Sequence, residues 1–583
     1  MSEEEKRKKD LGIYYTDERI VNFIFDILLL WKEKEDKRWH FPSGQRKYPA
    51  VIDPACGEGT FLKIALDKGF TGKHPQSKAP YIFGIDIDER AFQNWSKITL
   101  SSYFPDEEVM RRHFRKQNGL IPLPEVVFRY KTGGLQEFDC VVGNPPYGGV
   151  GLQEIDEELE DTLIKYKIWR KFFFKEKQLS LLAETLGKKN KEQLKKYPIE
   201  ILFIDRFIQL TKLGGYIAII LPDGIFANSN LHYVRQFITD NTKVEAIISL
   251  PRGAFKNVGT SAKTSILFLR KVKKEDLDYN VFLGAVEDID NLKQLFKFYK
   301  EAFAMNNIKE KVKVIKDAQG NEAVMVRVDK TVREAMEEKP HSRLDPKYWN
   351  PKYDYINNYF NTTKFSIKHL RDFEDVFTQG VNPNEDKKSI RNKYNGDSIL
   401  FLGQSSIFRT GIDLLNVDYL KKSSKINKQS SKPKIGDILL ARSGEGGIGK
   451  KKWCVYLLKD ESNIASFLDL LRFKNINPFF VAIYLNTTVG WEQIERIISG
   501  VGTPNINLEE IRSIKIPILP EEVQKNIESE YKKMSVYHDK AMEAKAKNDE
   551  ANHKKNIEIA EKMLKDLISK TEAVISGERK DVL

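Results

Sequence analysis

The stretch "VIDPACGEGTFL" (residues 51–62) decides the fold of the first half of the chain. A short apolar run leads into a turn that contains Gly57 and Gly59, and the apolar residues after the turn return at helical spacing. Glycine at these positions lets backbone N–H groups approach a ligand closely where the helix begins. A tight strand-to-helix turn without a ligand is the alternative. The stretch predicts a β-strand, a loop and a helix.

Further β-rich runs alternate with helical patterns on both sides of this stretch. They are "YIFGIDI" (81–87), "FDCVVG" (138–143), "GGYIAIILP" (214–222), "KVEAIISLP" (243–251) and "KTSILFLRK" (263–271). One helical run, "IEILFIDRFIQLTKLGG" (199–215), is predicted to end at its glycine pair, Gly214 and Gly215. Between 147 and 198 the chain is polar and rich in lysine, which suggests an insertion at the strand ends. The alternation predicts an α/β fold with a parallel sheet and crossover helices.

Composition narrows the class of protein. The chain has 583 residues and a formal net charge of +13, an excess of Lys and Arg that favours a polyanionic partner. Cys56, Cys140 and Cys454 form no CxxC pair, which argues against a disulfide framework or a zinc site and for a reducing compartment. No apolar run approaches the ~18 residues of a membrane span. We expect a cytoplasmic protein without a metal site.

Polar side chains follow two of the predicted strands. Asp86 ends "YIFGIDID", where a carboxylate accepts hydrogen bonds from ribose hydroxyls. Asn118, in "QNGL" after the next strand, is suited to the edge of an adenine ring. The loop at Gly57 has no Lys or Arg, so phosphate binding is not favoured. These features together predict a cofactor that carries adenosine.

The strand "FDCVVG" runs into Asn144, Pro145, Pro146 and Tyr147. Here the sequence resembles the N6-adenine DNA methyltransferases, whose strand-end motif is (D/N/S)PP(Y/F/W). "DPACGEG" (53–59) matches their S-adenosylmethionine loop, and "LGIYYTDERIV" (11–21) is similar to their amino-terminal cofactor motif. The order of motifs resembles the gamma group and type I modification subunits, and the likeness spans about residues 11–270. NPPY by itself also occurs in glutamine and guanine amino methyltransferases.

The resemblance implies a Rossmann-like domain that uses S-adenosylmethionine. It assigns cofactor contacts to Tyr15, Thr16, Asp53, Ala55, Cys56, Gly57, Gly59, Asp86, Ile87, Asn118 and Asn144. Thr16 would hold the methionine carboxylate. The implied catalytic residues are Asn144, Pro145, Pro146, Tyr147 and Phe255.

The chemistry explains why an amide and two prolines suit this strand end. An exocyclic adenine amine is a poor nucleophile because its lone pair is delocalised into the ring. The side-chain oxygen of Asn144 and the carbonyl of Pro145 can each accept one amine N–H, which positions the nitrogen and concentrates its lone pair. Prolines contribute no competing N–H. Tyr147 offers a ring face to a base that has left the duplex, and Phe255 is either a second stacking surface or a core aromatic.

The pattern changes near residue 341 to short strands with Asn, Gly and Ser turns. "SRLDPKYWNPKY" (342–353), "GDILLARSGEGGIGK" (436–450) and the segment 500–527 resemble landmarks of type I specificity-subunit recognition domains. The helix after Pro520 is similar to their spacer helix. We predict an N-terminal helical segment (1–49), a catalytic domain (50–275), an extension (276–340), an α+β target recognition domain (341–520) and a long C-terminal helix (521–583).

A basic cluster in the second half of the chain resembles a phosphate-binding loop and also contains candidate DNA contacts. "GEGGIGKK" (444–451) nearly spells a P-loop, but Lys451 replaces the required Ser or Thr and "KKWCVYLL" reads as a strand. Nucleotide triphosphate binding is therefore not predicted. Arg442, Lys450, Lys451, Lys452 and Trp453 are candidates for DNA contacts, with an exposed charge run as the alternative.

The C-terminal helix carries a seam at heptad-like spacing. Its residues are Ile557, Ala560, Leu564, Leu567, Thr571 and Val574. The seam fits either a homodimeric coiled coil or packing against the chain's own body. Specificity subunits usually carry two recognition domains and this chain has one, so either a single half-site or a dimer is expected.

The sequence predicts a site-specific DNA adenine-N6 methyltransferase with double-stranded DNA as its partner. An RNA or protein-glutamine methyltransferase is the first alternative, and a modification and specificity component with a separate restriction subunit is the second. A complete restriction enzyme is disfavoured because little chain precedes the cofactor motifs. A catalytically dead specificity factor is disfavoured because NPPY is intact.

Overall fold

The computed structural model describes residues 16–34, 48–74, 77–123, 129–130, 133–134, 137–147, 157–163, 165–168, 197–255, 263–273, 276–304, 311–338, 342–392, 396–415, 417–498 and 504–583. The chain divides into two compact units, Met1–Pro351 and Lys352–Leu583. Among the described helices, none combines the length and apolar character that a membrane span requires.

The first unit is an α/β domain. Its described strands are β1 (Val51–Asp53), β2 (Ile82–Asp86), β3 (Phe114–Lys116), β4 (Arg129–Tyr130), β5 (Gly133–Gly134), β6 (Phe138–Gly143), β7 (Thr211–Pro222), β8 (Thr242–Ser249), β9 (Thr264–Lys271), β10 (Phe282–Val286), β11 (Val312–Lys316) and β12 (Glu322–Arg327). Its described α-helices are α1 (Glu18–Lys34), α2 (Thr60–Asp67), α3 (Glu89–Asn94), α4 (Glu107–Arg111), α5 (Glu157–Leu163), α6 (Ile199–Leu210), α7 (Gly224–Ala227), α8 (His232–Asn241), α9 (Leu292–Ala304) and α10 (Val332–Glu337).

Ten of these strands form one sheet in the order β11-β12-β10-β8-β9-β7-β6-β1-β2-β3. The five strands from β3 to β7 along this order are parallel, which confirms the predicted α/β core. The sheet as a whole is mixed, because β9 is antiparallel to both β7 and β8. The extension predicted at 276–340 adds β10, β11 and β12 to this sheet and is more than a connector.

The helix predicted to end at Gly214 and Gly215 ends earlier, at Leu210. Thr211 already has extended backbone angles and pairs with Phe138 of β6. Its hydroxyl donates a hydrogen bond of 2.7 Å to the carbonyl of Phe207, which satisfies the helix end without a glycine cap. The glycine pair instead lies where the register between β6 and β7 shifts, with Gly214 at a φ of 82°.

Helix α1 packs on one face of the sheet. Its buried stripe is apolar, and at its C-terminal end the Trp31 indole N–H donates to the Tyr299 hydroxyl at 2.8 Å. The Trp31 ring also lies 4.9 Å from the ring of Tyr216 on β7. This packing fixes the start of the described chain, which carries Thr16, relative to the strands.

The second unit combines small sheets with helices, as expected for an α+β domain. Its described strands are β13 (Ile367–His369), β14 (Glu374–Gln379), β15 (Ile390–Arg391), β16 (Ser398–Leu402), β17 (Asp418–Lys421), β18 (Ile438–Ala441), β19 (Trp453–Val455), β20 (Ser462–Ile464), β21 (Leu468–Phe473) and β22 (Lys515–Pro517). Its described α-helices are α11 (Asp354–Thr362), α12 (Pro478–Tyr484), α13 (Thr488–Ile497), α14 (Leu508–Ser513), α15 (Glu521–Ala546) and α16 (Glu550–Ser576). Two four-stranded sheets, β14-β21-β18-β19 and β15-β17-β16-β20, carry its core.

The long C-terminal helical region consists of two helices of 26 and 27 residues, α15 and α16. The break falls at Asn548, which has a φ of 56°, and Asp549 caps the second helix. Five of the six predicted seam residues are buried where α16 packs within the unit, and Ile557 is partly buried. The structure therefore shows packing against the chain's own body, and the seam supplies no argument for a homodimer.

Candidate active site

Three neighbouring parallel strands bring the predicted site residues to one edge of the sheet. Asp53 ends β1, Asp86 ends β2, and Gly143 ends β6 immediately before Asn144. Strand β1 lies between the other two, with Val51 opposite Ile82 on one side and Cys140 on the other. Because all three strands run the same way, their carboxyl ends share one edge.

The glycine loop after β1 is held by backbone hydrogen bonds. Cys56 N–H donates to the Ile85 carbonyl at 3.0 Å, and Gly59 N–H donates to the Cys56 carbonyl at 2.8 Å. Gly57 and Gly59 have φ values of 49° and 83°, in the region that favours glycine. A Cβ built on Gly57 would meet nothing within 4 Å. The loop therefore presents open space at Gly57 and directs the chain into α2.

The carboxylate of Asp86 is oriented by the backbone on both sides. Its oxygens accept hydrogen bonds of 2.8 Å from Gly57 N–H and from Asp88 N–H. Burial raises the pKa of Asp86 above its usual range. The next side chain, Ile87, is 56% exposed, which is unusual for a large apolar residue beside a buried carboxyl. The pair combines a fixed acid with an open apolar face.

The "QNGL" turn after β3 packs directly on the glycine loop. A Cβ on Gly119 would lie 2.0 Å from the Pro54 carbonyl oxygen, so only glycine permits this contact. The Asn118 Oδ1 accepts the Leu120 N–H at 3.0 Å. The structure thus brings Asn118 and the loop together, as the sequence predicted for a shared ligand.

Asp53 lies between the loop and the NPPY segment. Its Oδ1 accepts the Ala55 N–H at 3.0 Å, and a Cβ on Gly143 would lie 2.5 Å from the same oxygen. The side chain is 1% exposed. This burial, with a smaller contribution from nearby Asp86, raises the pKa of Asp53 to about 8. The thiol of Cys56 is buried beside these carboxyls, and its pKa is also raised.

The side-chain amide of Asn144 has a hydrogen-bond partner for its nitrogen but none, among the described residues, for its oxygen. Its Nδ2 donates to the Thr16 hydroxyl at 3.1 Å. Its Oδ1 is buried and accepts no hydrogen bond within the described part of the chain. A buried amide oxygen without a donor costs free energy and is uncommon in native proteins. Tyr15, predicted beside Thr16, lies outside the described residues.

Tyr147 and Phe255 meet although 108 positions separate them in the chain. Their ring centroids are 6.4 Å apart at an interplanar angle of 83°. Both rings are buried, and Phe255 belongs to the hydrophobic core of the unit. Pro145 is buried and Pro146 is partly buried between them and the strand. The predicted stacking residues are therefore together, in an edge-to-face contact that leaves no slot between the rings.

Two residues near this site were not predicted. Arg206 on α6 and Tyr166 in the segment after NPPY both donate hydrogen bonds to the turn that carries Asn118. The signal for Arg206 was present, since Asp205 and Arg206 interrupt the apolar run "IEILFIDRFIQL". An arginine on such a helix is buried only when backbone or acidic groups satisfy its N–H groups.

A family model described as N-6 DNA Methylase matches residues 2–338. The chain belongs to this family. The matched region contains every side chain of the site described above.

Among curated relatives, the type II methyltransferase M.HincII of Haemophilus influenzae is 20% identical over 275 residues, 47% of this chain and 40% of that protein. The MjaIX methylase subunit of a type I restriction enzyme from Methanocaldococcus jannaschii is 26% identical over 271 residues, 45% of this chain and 38% of that protein. This chain therefore spans less than half the length of these two relatives.

The cryo-EM structure of a DrdV–DNA complex resembles this chain in fold. Its TM-score is 0.51 at 13% identity, and the match covers 91% of this chain and 58% of that one. The likeness concerns the fold alone, and it extends beyond the region that the family model matches.

The basic cluster of the second unit is split between surface and core. The Trp453 ring is 1% exposed, and its indole N–H donates to the Ala482 carbonyl at 3.0 Å. This burial argues against the base contact predicted for Trp453. The Lys451 Nζ lies 4.4 Å from the centre of the Trp491 ring, so this lysine is partly engaged in the unit itself. Trp453 begins β19, which confirms a strand where a P-loop would need a helix.

The other basic candidates lie at one end of the sheet β14-β21-β18-β19. Arg442 directly follows β18, and its Nε lies 3.9 Å from the carboxylate of Asp469 on β21. Asp469 is fully buried, which raises its pKa to about 7. Lys450 is exposed and Lys452 is partly exposed in the loop before β19. Phe467, whose carbonyl accepts the Arg442 N–H at 3.1 Å, is 57% exposed at the same end.

Within the described ranges, no group of three or more His, Cys, Asp or Glu residues could hold a metal ion.

Proposed function

We propose that this chain is a site-specific DNA methyltransferase that transfers a methyl group from S-adenosylmethionine to N6 of adenine. The observation that carries the proposal is the state of Asn144. Its amide nitrogen is tied to Thr16, and its buried oxygen has no donor among the described residues. An amine N–H of a target base would supply that donor.

The edge formed by β1, β2 and β3 fits the cofactor. Open space at Gly57, the fixed carboxylate of Asp86 and the exposed side chain of Ile87 suit a ribose and the face of an adenine ring. Thr16 and Asn118 would hold the two ends of the same ligand. S-adenosylmethionine, when bound, supplies a methyl group activated by a sulfonium.

The contribution of the chain's own residues is positioning. Asn144 Oδ1 and the Pro145 carbonyl each accept one N–H of the target amine, which holds the nitrogen and directs its lone pair. The Thr16 hydroxyl fixes which end of the Asn144 amide faces the base. Pro145 and Pro146 add no N–H that would compete.

The base-stacking role of Tyr147 requires a rearrangement. The edge-to-face contact of Tyr147 with Phe255 leaves no space between the rings for a base. We infer that a flipped base displaces one ring, so that Tyr147 presents its face while Phe255 stays in the core. Displacing an aromatic contact costs about 0.5–1.5 kcal/mol, and stacking a base on an aromatic side chain contributes about 1–3 kcal/mol, so the exchange is favourable on average.

Target recognition is assigned to the second unit. Arg442, Lys450 and Lys452 are candidates for DNA contacts at the sheet end where Phe467 is exposed. Arginine reads guanine through two parallel hydrogen bonds, and lysines contact phosphates. A separate restriction subunit is a further proposed partner, supported by the type I methylase subunits among the relatives.

The test is to incubate the protein with methyl-labelled S-adenosylmethionine and, separately, double-stranded DNA, RNA or protein extract. Label should enter DNA, and base-resolved mapping of DNA from cells with and without the protein should place N6-methyladenine within one sequence. Label that enters only RNA or only protein would replace the proposal with the corresponding alternative.

A further inference from the structure

Three consecutive carbonyl groups accept hydrogen bonds from side chains outside the turn: those of Gly119 and Leu120 in "QNGL" and that of Ile121 directly after it. The Arg206 Nε donates to the Gly119 carbonyl at 3.0 Å, and its Nη2 donates to the Ile121 carbonyl at 2.8 Å. The Tyr166 hydroxyl donates to the Leu120 carbonyl, between them, at 2.6 Å. The turn is therefore held by two side chains from different parts of the chain.

Both donors are buried, so these hydrogen bonds are not exchanged for water without cost. Tyr166 and Arg206 are 1% and 4% exposed. Burial lowers the pKa of Arg206 and raises that of Tyr166, which is the cost of removing the two groups from water. Without Arg206 or Tyr166, the carbonyls of Gly119 and Leu120 would each lose a hydrogen bond from a buried donor, while the partly buried Ile121 carbonyl would keep the one it accepts from the Gln117 side-chain amide at 3.2 Å.

The turn is in contact with the glycine loop as well. Gly119 lies against the Pro54 carbonyl. On the same glycine, a Cβ would lie 3.2 Å from the Phe203 ring of α6. A small displacement of the turn would therefore change the distance between Asn118 and the loop. Arg206 and Phe203 are both on α6, so this helix sets that distance.

The side chain of Asn118 is oriented by the same turn. Its Oδ1 accepts the Leu120 N–H, which leaves the amide nitrogen as the end that can donate to a ligand. The ring nitrogens of adenine are acceptors, so this orientation matches them. Fixing the carbonyls of Gly119, Leu120 and Ile121 fixes the direction in which this donor points.

Tyr166 is anchored in turn to α6. The N–H groups of Lys167 and Ile168 donate to the Asp205 Oδ2 at 2.6 Å and 3.0 Å. Asp205 and Arg206 are neighbours on the helix, so one site on α6 holds both the turn and the segment that carries Tyr166. This segment follows NPPY in the chain, so a residue of the predicted insertion lies beside the turn that carries Asn118.

We propose that Arg206 and Tyr166 are positioning residues for the adenine end of the cofactor. They act through the turn and touch no ligand themselves. The proposal rests on the proposed use of S-adenosylmethionine and adds two side chains that determine how tightly its adenosine is held.

Cofactor affinity tests the proposal, with S-adenosylhomocysteine as the probe and calorimetry as the readout. Tyr166→Phe removes one hydroxyl, and Arg206→Lys removes the planar pair of donors. Each variant should weaken binding by about 5-fold to 30-fold, since one to two hydrogen bonds that order the turn are lost. Single-turnover methyl transfer at saturating cofactor should stay close to wild type.

Arg235→Lys is the matched control. Arg235 is also fully buried and donates to two carbonyls, of Ile225 at 2.8 Å and Asn228 at 3.0 Å, away from the turn. This variant should lower the thermal midpoint and leave the dissociation constant unchanged. An equal loss of affinity in Arg235→Lys would mean that general destabilisation explains the effect, and the proposal would be wrong.

An Asn118→Ala background separates positioning from stability. If Tyr166 acts through Asn118, Tyr166→Phe should cause little further loss of affinity in that background. Affinities within twofold of wild type for both Tyr166→Phe and Arg206→Lys would overturn the inference. Failure of the wild-type protein to bind the probe would instead contradict the proposed cofactor, so the two failures are distinguishable.

Discussion

Replacing Asn144 with alanine should change catalysis and stability in opposite directions. In the folded protein the hydrogen bond from its Nδ2 to Thr16 contributes about 1 kcal/mol. Its buried oxygen, without a donor in the described chain, costs about 1–3 kcal/mol. Alanine removes both, so the free energy of unfolding should stay the same or rise by about 2 kcal/mol.

The same substitution removes one of the two acceptors proposed to hold the target amine. Loss of one oriented hydrogen-bond partner of this kind lowers a rate by about 10²-fold to 10³-fold, or about 2.7–4 kcal/mol. Single-turnover transfer of labelled methyl to DNA measures this rate, and urea unfolding measures stability. Cofactor affinity should be little changed.

Asn144→Asp is the control, because it keeps a carbonyl-type acceptor at the same position. It should retain more activity than the alanine variant. Transfer by Asn144→Ala within tenfold of wild type, or a fall in the free energy of unfolding of about 1 kcal/mol or more, would refute the reasoning.

Four further predictions follow from the described geometry. The folded-state pKa of Asp53 is about 8 against an ordinary value of 3.8, so its protonated form is favoured by folding and stability should fall as pH rises from about 4 to about 8. Asp53→Asn should reduce the fall of the thermal midpoint over this pH range. If the thermal midpoints of variant and wild type fall in parallel as the pH rises, the burial argument is contradicted. Gly119→Ala places a methyl group 2.0 Å from the Pro54 carbonyl and should weaken S-adenosylhomocysteine binding at least tenfold by calorimetry, whereas unchanged affinity would mean that the turn does not shape the pocket. Lys450→Ala should lower the slope of log affinity for DNA against log salt concentration by about one, measured by anisotropy between low and high salt, and an unchanged slope would remove this lysine from the interface. Arg442→Ala should instead weaken binding by about 1–3 kcal/mol and relax the sequence preference at one position, and unchanged affinity and preference would remove this arginine from the interface.

Much of the first unit was predictable because its strands are short apolar runs bounded by Gly, Pro and polar residues. Strand β6 has the predicted bounds, and β1, β2 and β7 lie within a few residues of theirs. The spacing of apolar residues along the chain indicates which of them can be buried together on one strand. This spacing does not indicate the order of the strands in the sheet. The antiparallel strand β9 between β7 and β8 was therefore not predicted.

Helix and strand ends were less predictable, since several residues can terminate the same element. The pair Gly214 and Gly215 is a common helix C-terminus, yet Thr211 ends α6 first by extending and pairing with β6. In the second unit, the lysines before Trp453 suggest a surface, while the structure buries the ring against Ala482. Which face of a strand is inside depends on the strands and helices packed against it.

The sequence by itself determined which chemical groups are available: a glycine loop after β1, an acid at the end of β2, an amide with two prolines after β6, and a basic second half. The tertiary structure alone decided that the Asn144 oxygen is buried without a donor and that Tyr147 meets Phe255 edge to face. It also brought Arg206 and Tyr166 to one turn. The reason is physical: residue type and spacing act through neighbouring bonds, whereas burial and hydrogen-bond partners arise from segments that are distant in the chain and adjacent only after folding.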